Sequence, residues 1–219
     1  MYLVCKYVIR NISFILLKQL IKMATEKIRC SWCLKDDLYK NYHDNEWGTP
    51  LHDDQKLFEL LCLEGAQAGL SWYTVLNKRE NYRKAFDNFD AVKISKYNAT
   101  KIEKLLQNEG IIRNKLKVNA FVTNAKAYLA IQKEFGSFDK YIWQFVGGKQ
   151  IKNDVRGMGN VPAKTAISDT MSKGLLKRGF KFVGSTICYA FMQASGMVDD
   201  HINDCWKKNK KTNKYFFAA

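Results

Sequence analysis

The chain has 219 residues, of which 47% are hydrophobic, and its 36 basic and 21 acidic side chains give a formal net charge of +15. This hydrophobic content is sufficient for a packed core and excludes disorder throughout the chain. No uncharged apolar run approaches the roughly 18 residues of a membrane-spanning helix, which excludes such a helix, and we expect no membrane partner. A sandwich or barrel needs many turns, so the presence of only two prolines and 13 glycines points to helices.

The charge divides the chain into three parts. Residues 1–22 carry four basic and no acidic side chains, and residues 206–219 carry five and none, which leaves a charge of +6 on residues 23–205. We expect 1–22 to be an N-terminal extension outside the fold, 23–205 to be the helical domain, and 206–219 to be a basic tail. A basic domain favours a polyanionic partner such as nucleic acid, although a requirement for solubility would explain the charge equally well.

The six cysteines are too few and too scattered for a disulfide scaffold at this length. Their distribution favours a reducing compartment such as the cytoplasm, with thiols that are buried or bind metal.

Helix signals accumulate from Asp53 onward. Asp53 or Asp54 can cap a helix that contains Leu57 and Leu61, and Ser71 can cap a second helix that runs through Leu76. Later helices are predicted over 164–177 and 185–195, the last one closed by Gly196.

Residues 100–130 form a helix, a short basic connection and a second helix. Thr100 to Glu103 have the spacing of a capping box, Gly110 can end the first helix, and apolar residues from Leu116 to Leu129 recur at helical spacing. In a basic protein this unit suggests a helix-hairpin-helix, in which backbone N–H groups hold a phosphate. Most such helix pairs only pack together, so the alternative remains open. The polar residues expected near phosphates are Arg113, Asn114, Lys115 and Lys117.

Two cysteine and histidine pairs lie at opposite ends of the domain. Cys30 precedes Cys33 by three residues with His43 close behind, and His201 precedes Cys205 by four residues, the spacing of one helix face. Spacing alone nominates the four paired residues as a closed, structural zinc site and leaves His43 spare. The alternative is that these are core thiols and surface imidazoles.

Aromatic residues are dense between positions 32 and 73, and Glu64 follows an apolar run in the same region. A buried carboxylate requires a partner or a function. A glutamate that forms a salt bridge or caps a helix is the simpler alternative. The aromatic residues are Trp32, Tyr39, Tyr42, Trp47, Trp72 and Tyr73.

Three long motifs carry a resemblance to a known family. They are Tyr42-His43-Asp44-Asn45-Glu46-Trp47-Gly48, Cys62-Leu63-Glu64-Gly65 followed by Gln67-Ala68-Gly69-Leu70-Ser71-Trp72, and the segment from Lys177 to Tyr189 followed by Met192-Gln193-Ala194. In this order they resemble the 3-methyladenine DNA glycosylase I family, and the resemblance extends from about Arg29 to Cys205.

The resemblance implies an all-α fold of the helix-hairpin-helix DNA glycosylase superfamily, with one structural Zn²⁺ that ties the two ends of the domain together. It implies that Glu64 binds the base, and we take Glu64 as the catalytic residue. It also implies that the late aspartates Asp199, Asp200 and Asp204 are not catalytic. It places the zinc ligands on Cys30, His43, His201 and Cys205, which favours His43 over Cys33. It places pocket tyrosines on Tyr39 and Tyr42, the stacking tryptophan on Trp72, and further pocket walls on Trp32 and Trp47.

The implied reaction is excision of 3-methyladenine from alkylated double-stranded DNA after base flipping. The pocket motif has no lysine for a Schiff base, so we expect a monofunctional, monomeric glycosylase without lyase activity. Gly69 and Leu70 are expected to enter the gap that the flipped base leaves. The main alternative is a zinc-stabilised, non-catalytic DNA-binding protein, and a second alternative is a small-molecule binder.

Overall fold

The computed structural model describes residues 27–208, and the predicted extension 1–22 and most of the basic tail lie outside them. Within this range the chain is helical, with one pair of two-residue strands and four 3-10 turns, at Ser31–Cys33, Asp87–Phe89, Gln144–Val146 and Met158–Asn160. The helices are α1 (Asp37–Asn45), α2 (Asp54–Gln67), α3 (Trp72–Leu76), α4 (Arg79–Ala85), α5 (Ala91–Ile94), α6 (Ala99–Gln107), α7 (Lys115–Phe135), α8 (Phe138–Trp143), α9 (Ala166–Lys177) and α10 (Ser185–Ala194). The strands β1 (Ile151–Lys152) and β2 (Val198–Asp199) pair in parallel. No described helix is long and apolar enough to cross a membrane.

Helix α2 lies at the centre of the fold and packs against α7, α8 and α10. Eight of its 14 residues are buried, including Glu64 near its C-terminal end. The Asp53 side chain caps α2 by accepting from Lys56 N, and Ser71 caps α3 by accepting from Thr74 N, which confirms both predicted helix starts.

The start and end of α6 differ from the sequence prediction. Asn98 caps this helix by accepting from Lys101 N, so Thr100 lies inside the helix rather than at its cap. Gly110 lies beyond the helix end and does not have a left-handed φ. A Cβ there would lie 2.9 Å from Asn108 Oδ1, so a close approach, not backbone handedness, accounts for this glycine.

Helix α7 begins after Asn114, whose side chain accepts from Lys117 N, and ends at Gly136 with a φ of 82°. It contains the predicted apolar positions from Leu116 to Leu129. Helices α9 and α10 also match the predicted ranges closely, and Gly196 after α10 has a φ of 69°.

Residues 178–184 join α9 to α10 and form a second helix–turn–helix unit. Gly179 and Phe182 both have positive φ, and no side chain caps the start of α10. This connection packs closely against α2 at Gly65. A Cβ atom added to Gly65 would lie only 3.2 Å from Cβ of Phe182.

The described fold extends slightly beyond the predicted domain end at residue 205. Trp206 N donates to Ile28 O, and Lys208 Nζ donates to the backbone carbonyls of Asn153 and Asp199. Residues 206–208 therefore belong to the packed body rather than to a free tail.

Candidate active site and metal centre

A cavity of about 330 Å³ lies beside the C-terminal half of α2. All six residues that the sequence analysis proposed for the base pocket line it. The lining residues are Trp32, Tyr39, Tyr42, Trp47, Glu64, Gln67, Trp72, Met158, Val161, Ala190 and Gln193.

The aromatic rings form one contiguous wall of this cavity. The centroid of Trp32 lies 4.9 Å from that of Tyr39 and 5.1 Å from that of Trp47, and Tyr42 and Trp72 lie 5.3 Å apart. Burial raises the pKa of Tyr39 to about 12 and that of Tyr42 well above its ordinary value, so both phenols remain protonated and can donate hydrogen bonds. Tyr73 does not line the cavity; its hydroxyl donates to Asp36 instead.

Glu64 is 2% exposed and forms no salt bridge with any described residue. Its Oε2 atom is buried and has no hydrogen-bond partner. Desolvation raises the pKa of this carboxyl group to about 8. The simpler alternative of a salt-bridged glutamate is therefore wrong, and the carboxyl group faces the cavity.

Unpartnered buried polar atoms concentrate around the cavity. Four such side-chain atoms occur in the described part of the chain, and three belong to cavity residues, namely Glu64 Oε2, Gln67 Oε1 and Trp72 Nε1. Each unsatisfied group costs about 1–3 kcal/mol, so native proteins keep few of them. A flat ligand that carries both donors and acceptors would satisfy all three. The sequence analysis missed Gln67, although it lies one helical turn after Glu64 on the same face of α2.

A cluster of soft ligands lies behind this wall. Cys30, His43 and Cys205 are all buried, and their ligand atoms lie within 4.8 Å of one another. The hydrogen bond between the two thiols lowers the pKa of Cys205 and raises that of Cys30. One thiolate is therefore formed readily, which is the protonation state that a metal ion requires.

His201 lies beside this cluster, on the chain just after β2. It is 1% exposed, its ring centroid lies 5.0 Å from that of His43, and its Nε2 is the fourth unpartnered buried atom. Asp44 contacts Nδ1 of His43 and Asp199 contacts Nδ1 of His201, both at 2.8 Å. Carboxylates in this position orient metal-binding imidazoles and leave Nε2 free to bind the metal.

Cys33 is buried near the cluster but does not join it. Its thiol donates to the Cys30 carbonyl at 3.1 Å. His43 rather than Cys33 therefore lies with Cys30 and Cys205, and these two thiols and one imidazole could hold a metal ion. His201 lies beside this group but is not a member of it, so its role as a fourth ligand stays a prediction.

The residues proposed to contact DNA lie in two places. Gly69, with a φ of 75°, and Leu70, which is 45% exposed, follow the end of α2. Arg113, Asn114 and Lys115 are exposed at the start of α7, where Arg113 lies 3.4 Å from Glu109 and Asn114 caps the helix.

Lys117 departs from the prediction that it faces phosphates. It is 8% exposed, and its ammonium donates to Ala66 O at 2.7 Å and to Ala68 O at 2.6 Å. Lys117 is one of the buried residues of α7, and its hydrogen bonds show that this side of α7 faces the end of α2.

A family model described as methyladenine glycosylase matches residues 32–208. The chain belongs to the methyladenine glycosylase family. This match confirms the family that the sequence motifs indicated. Members of the family are hydrolases that act on N-glycosyl bonds. The match begins two residues after Cys30 and includes the other three proposed metal ligands.

Known methyladenine glycosylases are similar to this chain over most of its length. The DNA-3-methyladenine glycosylase of Haemophilus influenzae is 56% identical over 177 residues, which cover 81% of this chain and 96% of that protein. The DNA-3-methyladenine glycosylase 1 of Escherichia coli K12 is 50% identical over 177 residues, which cover 81% and 95%. A structure of 3-methyladenine DNA glycosylase I from Staphylococcus aureus, which concerns 3-methyladenine recognition, superposes with a TM-score of 0.81 at 38% identity and covers 84% and 97%.

Proposed function

We propose that this methyladenine glycosylase flips 3-methyladenine out of alkylated double-stranded DNA and hydrolyses its N-glycosidic bond. The observation that carries the proposal is the convergence of Glu64 Oε2, Gln67 Oε1 and Trp72 Nε1, all buried and unpartnered, on one aromatic cavity. The similar enzymes of H. influenzae and E. coli are named for the same substrate.

The chemistry of the substrate explains why an aromatic cage is sufficient. Methylation at N3 makes the adenine formally cationic, so it leaves easily and needs no strong general acid. The enzyme must mainly extract the nucleotide and hold the base. Stacking contributes about 1–3 kcal/mol per base, and a desolvated cation–π contact adds about 2 kcal/mol. Unmodified adenine has no positive charge and gains less from the same rings.

Glu64 supplies the polar contact that favours the positively charged base over a neutral one. With its pKa raised to about 8 by desolvation, the carboxyl group is mostly neutral at pH 7 before a base binds. A cationic base beside it lowers that pKa, so Glu64 releases its proton to the solvent as the base enters, and the resulting carboxylate accepts a hydrogen bond from the exocyclic amine. Tyr42 supplies a second polar contact, and Gln67 offers another acceptor.

Hydrolysis requires water to reach the sugar carbon as positive charge develops there. The DNA phosphates stabilise that charge. None of the described residues that line the cavity is a lysine, which supports hydrolysis without a Schiff base and hence a monofunctional enzyme.

DNA is held outside the cavity. We assign phosphate contacts to Arg113, Asn114 and Lys115 in the helix-hairpin-helix over 100–130. Gly69 and Leu70 form the wedge that fills the gap left in the duplex by the flipped base. The second helix–turn–helix, at 178–184, is the competing phosphate site, because the start of α10 has no side-chain cap.

The metal in this proposal is one structural Zn²⁺ held by Cys30, His43, His201 and Cys205. When bound, it supplies folding free energy and no step of the reaction. Five described cysteines are free thiols, which supports a reducing compartment, proposed here as the bacterial cytoplasm. We propose a monomer.

The proposal is tested by incubating the protein with methylated duplex DNA and separating released bases by chromatography. Free 3-methyladenine and abasic sites in an unbroken strand are expected. Salt-dependent DNA binding without base release would instead support a non-catalytic DNA-binding protein. Binding of free base without DNA affinity would support a small-molecule binder.

A further inference from the structure

Lys117 occupies an unusual position for a lysine. It lies in the first turn of α7, where the partial positive charge of the helix end disfavours a cation, and Asn114 already caps that end. Its ammonium instead crosses to the end of α2 and donates to the carbonyls of Ala66 and Ala68. The C-terminal end of a helix carries partial negative charge and unsatisfied carbonyls, so both groups gain a partner there.

The two carbonyls lie immediately before the Gly69–Leu70 turn. Ala68 leaves the helix with a ψ of 119°, and Gly69 follows with a φ of 75°. Leu70 N donates to Gln67 O at 2.6 Å, and the Leu70 side chain is 45% exposed. The ammonium of Lys117 therefore fixes the backbone from which this exposed apolar side chain projects.

A second polar residue lies on the same face of α7, two turns further along. Asn124 is 2% exposed, its Oδ1 accepts from Lys181 N at 2.7 Å, and its Nδ2 donates to Lys181 O at 3.1 Å. One face of α7 thus fixes the end of α2 through Lys117 and the 178–184 connection through Asn124.

We propose that Lys117 is a positioning residue that holds the Gly69–Leu70 turn in the conformation that enters the duplex. This inference rests on the wedge role given to Leu70 under Proposed function. Without the ammonium, the carbonyls of Ala66 and Ala68 lose their shared partner and Leu70 is presented in the correct conformation less often. Glu64 and Trp72, which Lys117 does not contact, keep their affinity for the free base.

The test is a double-mutant cycle with Lys117→Met and Leu70→Ala, and with Lys126→Met as the control. Lys126 is exposed on the same helix, so its loss removes the same charge without touching α2. Single-turnover excision from methylated duplex is measured beside the affinity for free 3-methyladenine, read from quenching of tryptophan fluorescence. K117M and L70A are each expected to slow excision about tenfold, and the double variant to be no slower than L70A alone. K117M should bind free base within about twofold of the unmodified protein.

Three outcomes overturn the proposal. If the rate losses of K117M and L70A multiply in the double variant, or if K117M excises as fast as K126M, Lys117 does not act through Leu70. Neither result affects the wedge role of Leu70. If L70A excises at the full rate, the wedge role fails and the positioning role fails with it. If K117M does not fold, K117Q goes through the same cycle, because its amide keeps a donor for one carbonyl.

Discussion

The indole ring of Trp47 lies edge-on against the imidazole of His201, with ring centroids 4.6 Å apart. One of these residues lines the cavity and the other belongs to the proposed metal site, so the two sites share a wall. Trp32 makes a similar contact, 5.4 Å from His43. A metal that joins the two ends of the fold would therefore also hold the tryptophans of the pocket in place.

Replacing His201 by alanine tests this link. We expect His201→Ala to bind zinc at least about 100-fold more weakly, since loss of an outer-sphere partner alone costs about 10–100-fold. The melting temperature and the affinity for free base should fall together. Cys33→Ala is the matched control, because that buried thiol donates its hydrogen bond to the carbonyl of Cys30 and lies outside the group of proposed ligand atoms, so the variant should still bind one zinc per chain. Full zinc occupancy in the histidine variant would refute the ligand assignment.

Glu64 predicts a specific dependence of stability on pH. Its pKa is raised from 4.5 to about 8, so between these values the folded state binds one more proton than the unfolded state. This contribution to stability is fully present below about pH 4.5 and is lost as the pH rises through 8. Relative to Glu64→Gln, the unmodified protein should lose roughly a few kcal/mol of unfolding free energy from pH 5 to pH 8. Urea unfolding of both proteins at fixed zinc concentration measures the difference, and parallel pH curves would contradict it.

Trp72 should account for much of the stacking energy between the cavity and the bound base. Trp72→Ala is expected to weaken binding of free 3-methyladenine by about 1–3 kcal/mol, measured by calorimetry. Tyr73→Phe is the matched control, because this neighbouring aromatic residue donates to Asp36 and does not line the cavity. Equal losses in the two variants would show that the cavity is not the base site.

Removing the proposed phosphate contacts should change how DNA affinity depends on salt concentration. Each contact contributes about 0.9 to the slope of log affinity against log salt. The combined variant Arg113→Ala and Lys115→Ala should therefore lower the slope by about 2, uniformly across DNA sequences, whereas Lys126→Ala should not change it. An unchanged slope together with a reduced slope in Lys181→Ala would move the phosphate site to the 178–184 connection.

Local signals in the sequence predicted much of the fold. Asp53 and Ser71 cap helices as expected, because a short polar side chain before an apolar run satisfies the free N–H groups of a helix start. The start of α6 was misplaced because Asn98 and Thr100 are both capable of capping, and only the packed structure decides between them.

Contacts between distant segments could not be predicted in the same way. The inward direction of Lys117 depends on carbonyls about 50 residues earlier in the chain. Spacing alone could not separate Cys33 from His43, because the choice depends on which side chain faces Cys205 across 162 residues. The resemblance supplied that choice, and the buried cluster supports it.

The most direct test of the account is the single-turnover release of 3-methyladenine from methylated duplex DNA by the unmodified protein and by Glu64→Gln. The account predicts rapid release by the unmodified protein and release about 100-fold slower by the variant, because the neutral amide cannot balance the charge of the base. The variant should still melt cooperatively and bind zinc. Equal rates in the two proteins would remove Glu64 from the reaction, and absence of free base in both would contradict the proposed activity.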